Sequence, residues 1–82
     1  MREYSGNDNY GNPRSEYVKK IQNMDYKQLM EETELKIWLS AYANNNPKSD
    51  YHWHVSVCYD EWIDRDGNSN NYAKAWKEAT RQ

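Results

Sequence analysis

The stretch Tyr51-His52-Trp53-His54-Val55-Ser56-Val57-Cys58-Tyr59 admits two readings, and the class of the whole protein turns on which one holds. Apolar and polar side chains alternate along it, as in a half-buried strand. Yet Tyr51, Val55, Cys58, Tyr59 and Trp62 also fall on one helical face. Ser49 or Asp50 can cap such a helix, and Gly67 can close it in the left-handed conformation. Against this, Asp64 and Asp66 near the C-terminal end oppose the helix dipole. A strand needs a partner strand, and the one candidate, residues 35–43, is itself helical in pattern. The sequence therefore predicts a helix, with an α+β fold and a strand over residues 51–59 as the alternative.

The preceding segment sets that choice. Asp25 and Gln28 have capping-box spacing, and Met24 and Leu29 stand where a hydrophobic staple would lie. From Asp25 to about Ala43, Tyr26, Met30, Thr33, Ile37 and Ala41 form one stripe. Leu35, Trp38, Leu39 and Tyr42 form a second, about 130° away at roughly 100° per residue. Glu32 and Lys36 pair on the remaining polar strip. A helix apolar on two sides is central and covered on both, or it keeps one side for a partner. Asn44-Asn45-Asn46-Pro47 breaks the pattern into a loop.

The flanks complete a mostly helical chain of about four short helices in one small domain. Residues 1–12 read as a flexible arm and residues 13–82 as the helical domain. Asn12-Pro13 predicts a first helix, capped by Asn12 with Pro13 in its first turn and ending near Gln22 or Asn23. Ser69, Asn70 or Asn71 opens a last helix that runs to about Arg81, with Tyr72, Ala73, Trp76, Ala79 and Thr80 on one face. Trp62 and Trp76 are expected to pack inward.

Composition bounds the function. The chain has 82 residues, four Trp, eight Tyr and no Phe. Tyr and Trp join a large apolar body to a polar tip, and they dominate binding hot spots. A domain of this size buries only about 60–65% of its unfolded surface, so docking or self-association would help it. The single Cys58 forms no internal disulfide, and there is no long apolar run or signal pattern, which predicts a cytoplasmic protein without a membrane span. The net charge is −2. The middle of the chain carries the acids, while residues 67–82 carry Lys74, Lys77 and Arg81. That distribution suits a basic or apolar protein surface better than a phosphate backbone.

If residues 50–66 are helical, Trp53 and Val57 lie opposite the main stripe and share a face with Asp60 and Asp64, with Glu61 beside them. An exposed Trp among carboxylates is a credible anchor for a basic partner. Trp53, Val57, Asp60, Glu61, Asp64, Trp38 and Tyr42 are thus the predicted partner-binding residues. The alternative is that Trp53 is core, beneath the N-terminal arm.

No known catalytic motif is present, and no cofactor or metal site is assigned. Asp50, His52, His54, Cys58 and Asp60 are the densest reactive set, and His52, His54 and Cys58 could offer zinc three ligands, although a second ligand hook is missing. Asp64-Arg65-Asp66-Gly67-Asn68 opens like a calcium loop but has Ser69 where Gly and Ala75 where Glu should stand. In type, as a tiny acidic Tyr/Trp-rich chain, it resembles accessory proteins of phages and mobile elements, some of which block host enzymes. The sequence therefore predicts a non-enzymatic module that binds another protein stoichiometrically, as inhibitor or adaptor. The alternatives are a nucleic-acid accessory protein using Lys74, Lys77 and Arg81, a small metal-binding protein or enzyme using His52, His54 and Cys58, and a homo-oligomer.

Overall fold

A computed structural model describes residues 4–42 and 50–81. Among them are four helices and no strand: α1 (Arg14–Gln22), α2 (Tyr26–Tyr42), α3 (Tyr51–Asp66) and α4 (Asn70–Ala79). The predicted loop at residues 44–47 lies outside the described residues.

The alternating stretch is helical throughout, because its end signals and its neighbours favour that conformation. Gly67 adopts a left-handed φ of 72°, and its N–H bonds the carbonyl of Ile63 at 2.8 Å. Only glycine takes that backbone turn without a steric penalty. Coiled as a helix, the stretch sends Val57, Cys58 and Trp62 into the core. Asp50, at the N-cap, makes no side-chain hydrogen bond to the backbone N–H groups of the first turn of α3. Its carboxylate is engaged elsewhere.

The start of α2 follows its sequence signal. The Gln28 N–H donates to Asp25 Oδ1 at 2.7 Å, and the Asp25 N–H donates to Gln28 Oε1 at 3.0 Å. Met24 and Leu29 share one apolar cluster, completing the staple. The α1 start is one residue off its prediction. Pro13 itself sits at the cap with extended ψ, and no side chain caps the helix.

Helices α2 and α3 run antiparallel, tied at three levels. Ser40 Oγ lies 2.6 Å from His52 Nδ1, Trp62 Nε1 donates to Thr33 Oγ1 at 3.0 Å, and Tyr26 Oη donates to Asp66 Oδ1 at 2.7 Å. Thr33 in turn donates to the Leu29 carbonyl, so both buried side-chain donors find acceptors. The main core joins Ile21, Leu29, Val57, Cys58 and Trp62. A smaller one joins Ile37 of α2 to Ala75 and Ala79 of α4, and Met30 and Tyr72 touch both. The small alanines let α4 lie close on α2. The inward face of α4 is therefore Tyr72, Ala75 and Ala79, and Trp76, expected inside, is 49% exposed.

Helix α1 leans on α3. Arg65 of α3 makes that joint. Its Nη2 donates to the carbonyls of Ile21 at 3.2 Å, Gln22 at 3.3 Å and Met24 at 2.6 Å, at and just past the end of α1. Its Nε pairs with Glu61 at 2.6 Å, which is why a glutamate can sit almost fully buried there.

Candidate interaction surface

The Trp53 face is not the open surface expected of it. Residues 4–12, read from the sequence as an arm, pass over the start of α3. Asp8 Oδ1 accepts the N–H groups of Tyr10 and Asn12 at 2.8 and 2.9 Å, folding the segment into a tight turn. The Asn9 N–H reaches the Asp50 carboxylate at 3.3 Å, and Tyr4 Oη donates to Asp60 Oδ2 at 2.8 Å. Trp53 is partly buried beneath this segment and α1. Tyr17 meets it edge-on at 5.5 Å, the Arg14 guanidinium lies 5.1 Å over its ring, and its Nε1 donates to Asp50 at 2.8 Å. Val57 is wholly buried, Asp60 receives Tyr4, and Glu61 is paired with Arg65. Of the predicted α3 set, Asp64 alone is exposed. The correction has a single physical cause: α1 and the N-terminal segment need an apolar bed, and this face of α3 provides it.

The reactive residues nearby do not converge either. His54 stacks on Tyr17 at 4.1 Å, and its Nδ1 is buried without a hydrogen-bond partner. Burial, and then the Lys36 ammonium, push its pKa down to about 4, so the ring is neutral. His52 turns instead toward Ser40 of α2. Cys58 is fully buried, and burial pushes its thiol up to about 11, which leaves it protonated and unreactive. Tyr17 Oη donates to Glu32 at 2.7 Å and lies 3.8 Å from the Cys58 sulfur. Its burial and the Glu32 carboxylate raise the phenol well above its ordinary range. Among the described residues, no three His, Cys, Asp or Glu side chains gather as metal ligands. The arrangement His52, His54 and Cys58 would need for zinc is absent from the fold.

The opposite outcome holds on α2. Leu29, Thr33 and Ile37 face the core, while Leu35, Trp38 and Tyr42 are 48%, 47% and 47% exposed. At roughly 100° per residue these three lie within about 60° of one another, on the side turned away from α3 and α4. The Trp38 and Tyr42 rings are 5.8 Å apart and tilted. Only Leu39 of the second stripe is partly covered. The helix is thus apolar on two sides but covered on one. Each large side chain offers about 200 Å² in full, so the exposed halves sum to about 300 Å², which is the scale at which patches on small proteins are often functional.

Beside the stripe, between α1 and α2, an open groove of about 490 Å³ is lined by Lys20, Met24, Gln28, Glu31, Glu32 and Leu35. Leu35 belongs to both groove and stripe, so the two form one surface. Helix α1 rests on α3 and is linked to α2 by the Tyr17–Glu32 hydrogen bond, with the groove opening beyond that link. Glu34 sits at the other margin, where burial, then the neighbouring carboxylates of Glu78 and Glu31, raise its pKa.

No protein-family model, curated protein or solved structure matches this chain. Its own geometry is what separates the candidate surfaces.

Of the predicted partner-binding residues on α2, Trp38 and Tyr42 are both about half exposed. Leu35 belongs to the second stripe that the sequence offered to a partner, and it is exposed with them, whereas Leu39 of that stripe is partly covered. Met24 was legible as a staple residue, but its place in the groove was not, because the groove depends on how far α1 stands from α2. Among the described residues, no helix is long and apolar enough to cross a membrane.

Proposed function

We propose that this chain is a small non-enzymatic protein-binding module that acts stoichiometrically, as an inhibitor or adaptor of a larger protein, through the outward face of α2. One observation carries the reading: Leu35, Trp38 and Tyr42 hold three large apolar side chains about half exposed in a row along the central helix. A chain with only nine Val, Ile and Leu residues would be expected to spend such side chains on its core. Leaving them outside is costly unless something else covers them. The patch is smaller than the roughly 800 Å² per partner of a standard interface, so these residues serve as its anchor and surrounding polar residues as its rim. A single buried thiol fits a reducing, cytoplasmic setting.

The test is co-purification of the tagged chain from its source cells after nuclease treatment, alongside Trp38→Ser and Trp76→Ser. A one-to-one complex retained by Trp76→Ser and lost with Trp38→Ser is the expected result. Equal recovery with all three proteins overturns the reading.

A second reading draws on α4, where exposed Lys74, Lys77 and Arg81 accompany exposed Trp76. Cations beside a stacking platform can hold single-stranded nucleic acid. Material lost on nuclease treatment or with Trp76→Ser, and binding that falls steeply with salt, would favour it.

A further inference from the structure

The composition of the α2 surface specifies what kind of protein segment fits it. Its apolar floor is Met24 and Leu35 in the groove, continuing onto Trp38 and Tyr42. Its polar margins are unequal. Glu31 lies one helical turn before Leu35 and Glu34 one turn before Trp38, so each carboxylate adjoins an apolar anchor. The charges that Glu34 feels most strongly are two further carboxylates, Glu78 across on α4 and Glu31 on its own helix. Glu32, on the groove wall, is held by Tyr17 and by Lys36 at 3.5 Å and faces inward. Cations lie at the edges: Lys27 in the first turn of α2, one turn before Glu31, Lys20 on the α1 wall, and Arg81 beside Glu78 at 3.6 Å. The centre of the surface is therefore apolar and acidic at once.

Shape narrows the choice further. Among the described residues there is no strand edge that could accept a partner strand. Recognition must run through side chains, and a groove between two helices suits a third helix presenting anchors every three to four residues. A second copy of the chain is the poorer occupant, because it carries a net charge of −2 and presents the same acidic surface.

We infer that this surface binds a cationic amphipathic helix of another protein, its apolar side chains entering the Met24–Leu35 groove and lying on Trp38 and Tyr42 while its Lys or Arg side chains pair with Glu31 and Glu34. The inference rests on the protein-binding reading above and adds the chemistry of the partner.

The experiment pans a phage-displayed library of random peptides, long enough to form four helical turns, against the immobilised chain and against Trp38→Ser in parallel. Selected peptides are then synthesised and titrated. Circular dichroism confirms that the surface variants are folded. The expected result is enrichment, on wild type only, of sequences with apolar residues at three- and four-residue spacing and Lys or Arg between them. Their affinity should fall at least about 30-fold in Trp38→Ser, as for a hot-spot anchor. It should fall about 5- to 10-fold in Glu31→Gln/Glu34→Gln, which should also flatten the dependence on salt. Trp38-dependent peptides that are acidic or uncharged would overturn the inference and leave the protein-binding reading standing. Failure of any peptide to distinguish wild type from Trp38→Ser would overturn both. Light scattering that showed a dimer of the free chain, dissolved by Trp38→Ser, would replace the inference with self-association.

Discussion

Trp38 and Trp53 stand on neighbouring antiparallel helices, each among tyrosines and carboxylates, and the fold treats them oppositely. Trp53 lies under α1 and the N-terminal segment, with Arg14 over its face and Asp50 on its indole nitrogen. Trp38 lies on the bare side of α2, about half exposed, against Tyr42. Local sequence does not separate them, since both sit on amphipathic helices away from the main apolar stripe. What separates them is chain connectivity. The residues before α1 are tethered close to α3 and can fold back on it, whereas α3 and α4 already occupy the other sides of α2. A Trp in a small protein is thus a binding anchor or a core residue according to what the rest of the chain can reach.

The comparison gains a scale from Trp62, the fully buried tryptophan that bonds Thr33. Trp62→Ala should cost about 3–5 kcal/mol, read by urea denaturation, and set the upper limit. Trp53→Ala should cost about 2–3 kcal/mol by the same measurement, because it is partly buried and leaves Asp50 and Arg14 without their aromatic partner. A loss below 0.5 kcal/mol, roughly the limit for surface changes, would mean that Trp53 is as bare as Trp38 and would erase the contrast.

Acid should attack the covered side first. Folded, His54 resists protonation down to about 4, against an ordinary 6.5, because of burial and Lys36. The unfolded chain therefore takes up the proton first as the pH falls. Stability should be complete above about pH 6.5 and should decline between there and about pH 4, by about 1–2 kcal/mol once partial solvent screening is allowed for. Thermal melts across that window check the slope, and His54→Phe, which keeps the stack on Tyr17, should flatten it. An unchanged slope in that variant would assign the loss to other groups. The smallest effect belongs to Trp38→Ser, which should change stability by no more than about 0.5 kcal/mol while abolishing partner recovery. A destabilisation near that of Trp53→Ala would show that Trp38 supports the fold and would remove it as a free anchor.

Much of this architecture is legible before any coordinates. The Asp25–Gln28 box, the Met24–Leu29 staple and the Gly67 stop are local chemistry, and each forms as its spacing implies. Residues 51–59 are legible only with help, because a two-residue alternation and a helical face coexist there. Their end signals and the lack of a partner strand resolve it. The site is harder. The reading of α3 counts which residues oppose its main stripe, but facing away from one core is not facing solvent when a second helix arrives. That is how Val57, Asp60 and Glu61 came to be expected outside and are found inside. Trp76 errs in the opposite direction: Ala75 and Ala79, small enough for close approach, take the inward positions.

The sequence by itself determined the helical class, most of the helix ends and the two stripes of α2, because caps, breakers and periodicity act within a few residues. Tertiary structure alone decided which stripe is covered, that His54 is half-buried against Tyr17 while His52 turns to Ser40, and that a groove opens between α1 and α2. Those outcomes depend on which distant segments compete for the same apolar face, and on the desolvation and contact that follow when one of them wins.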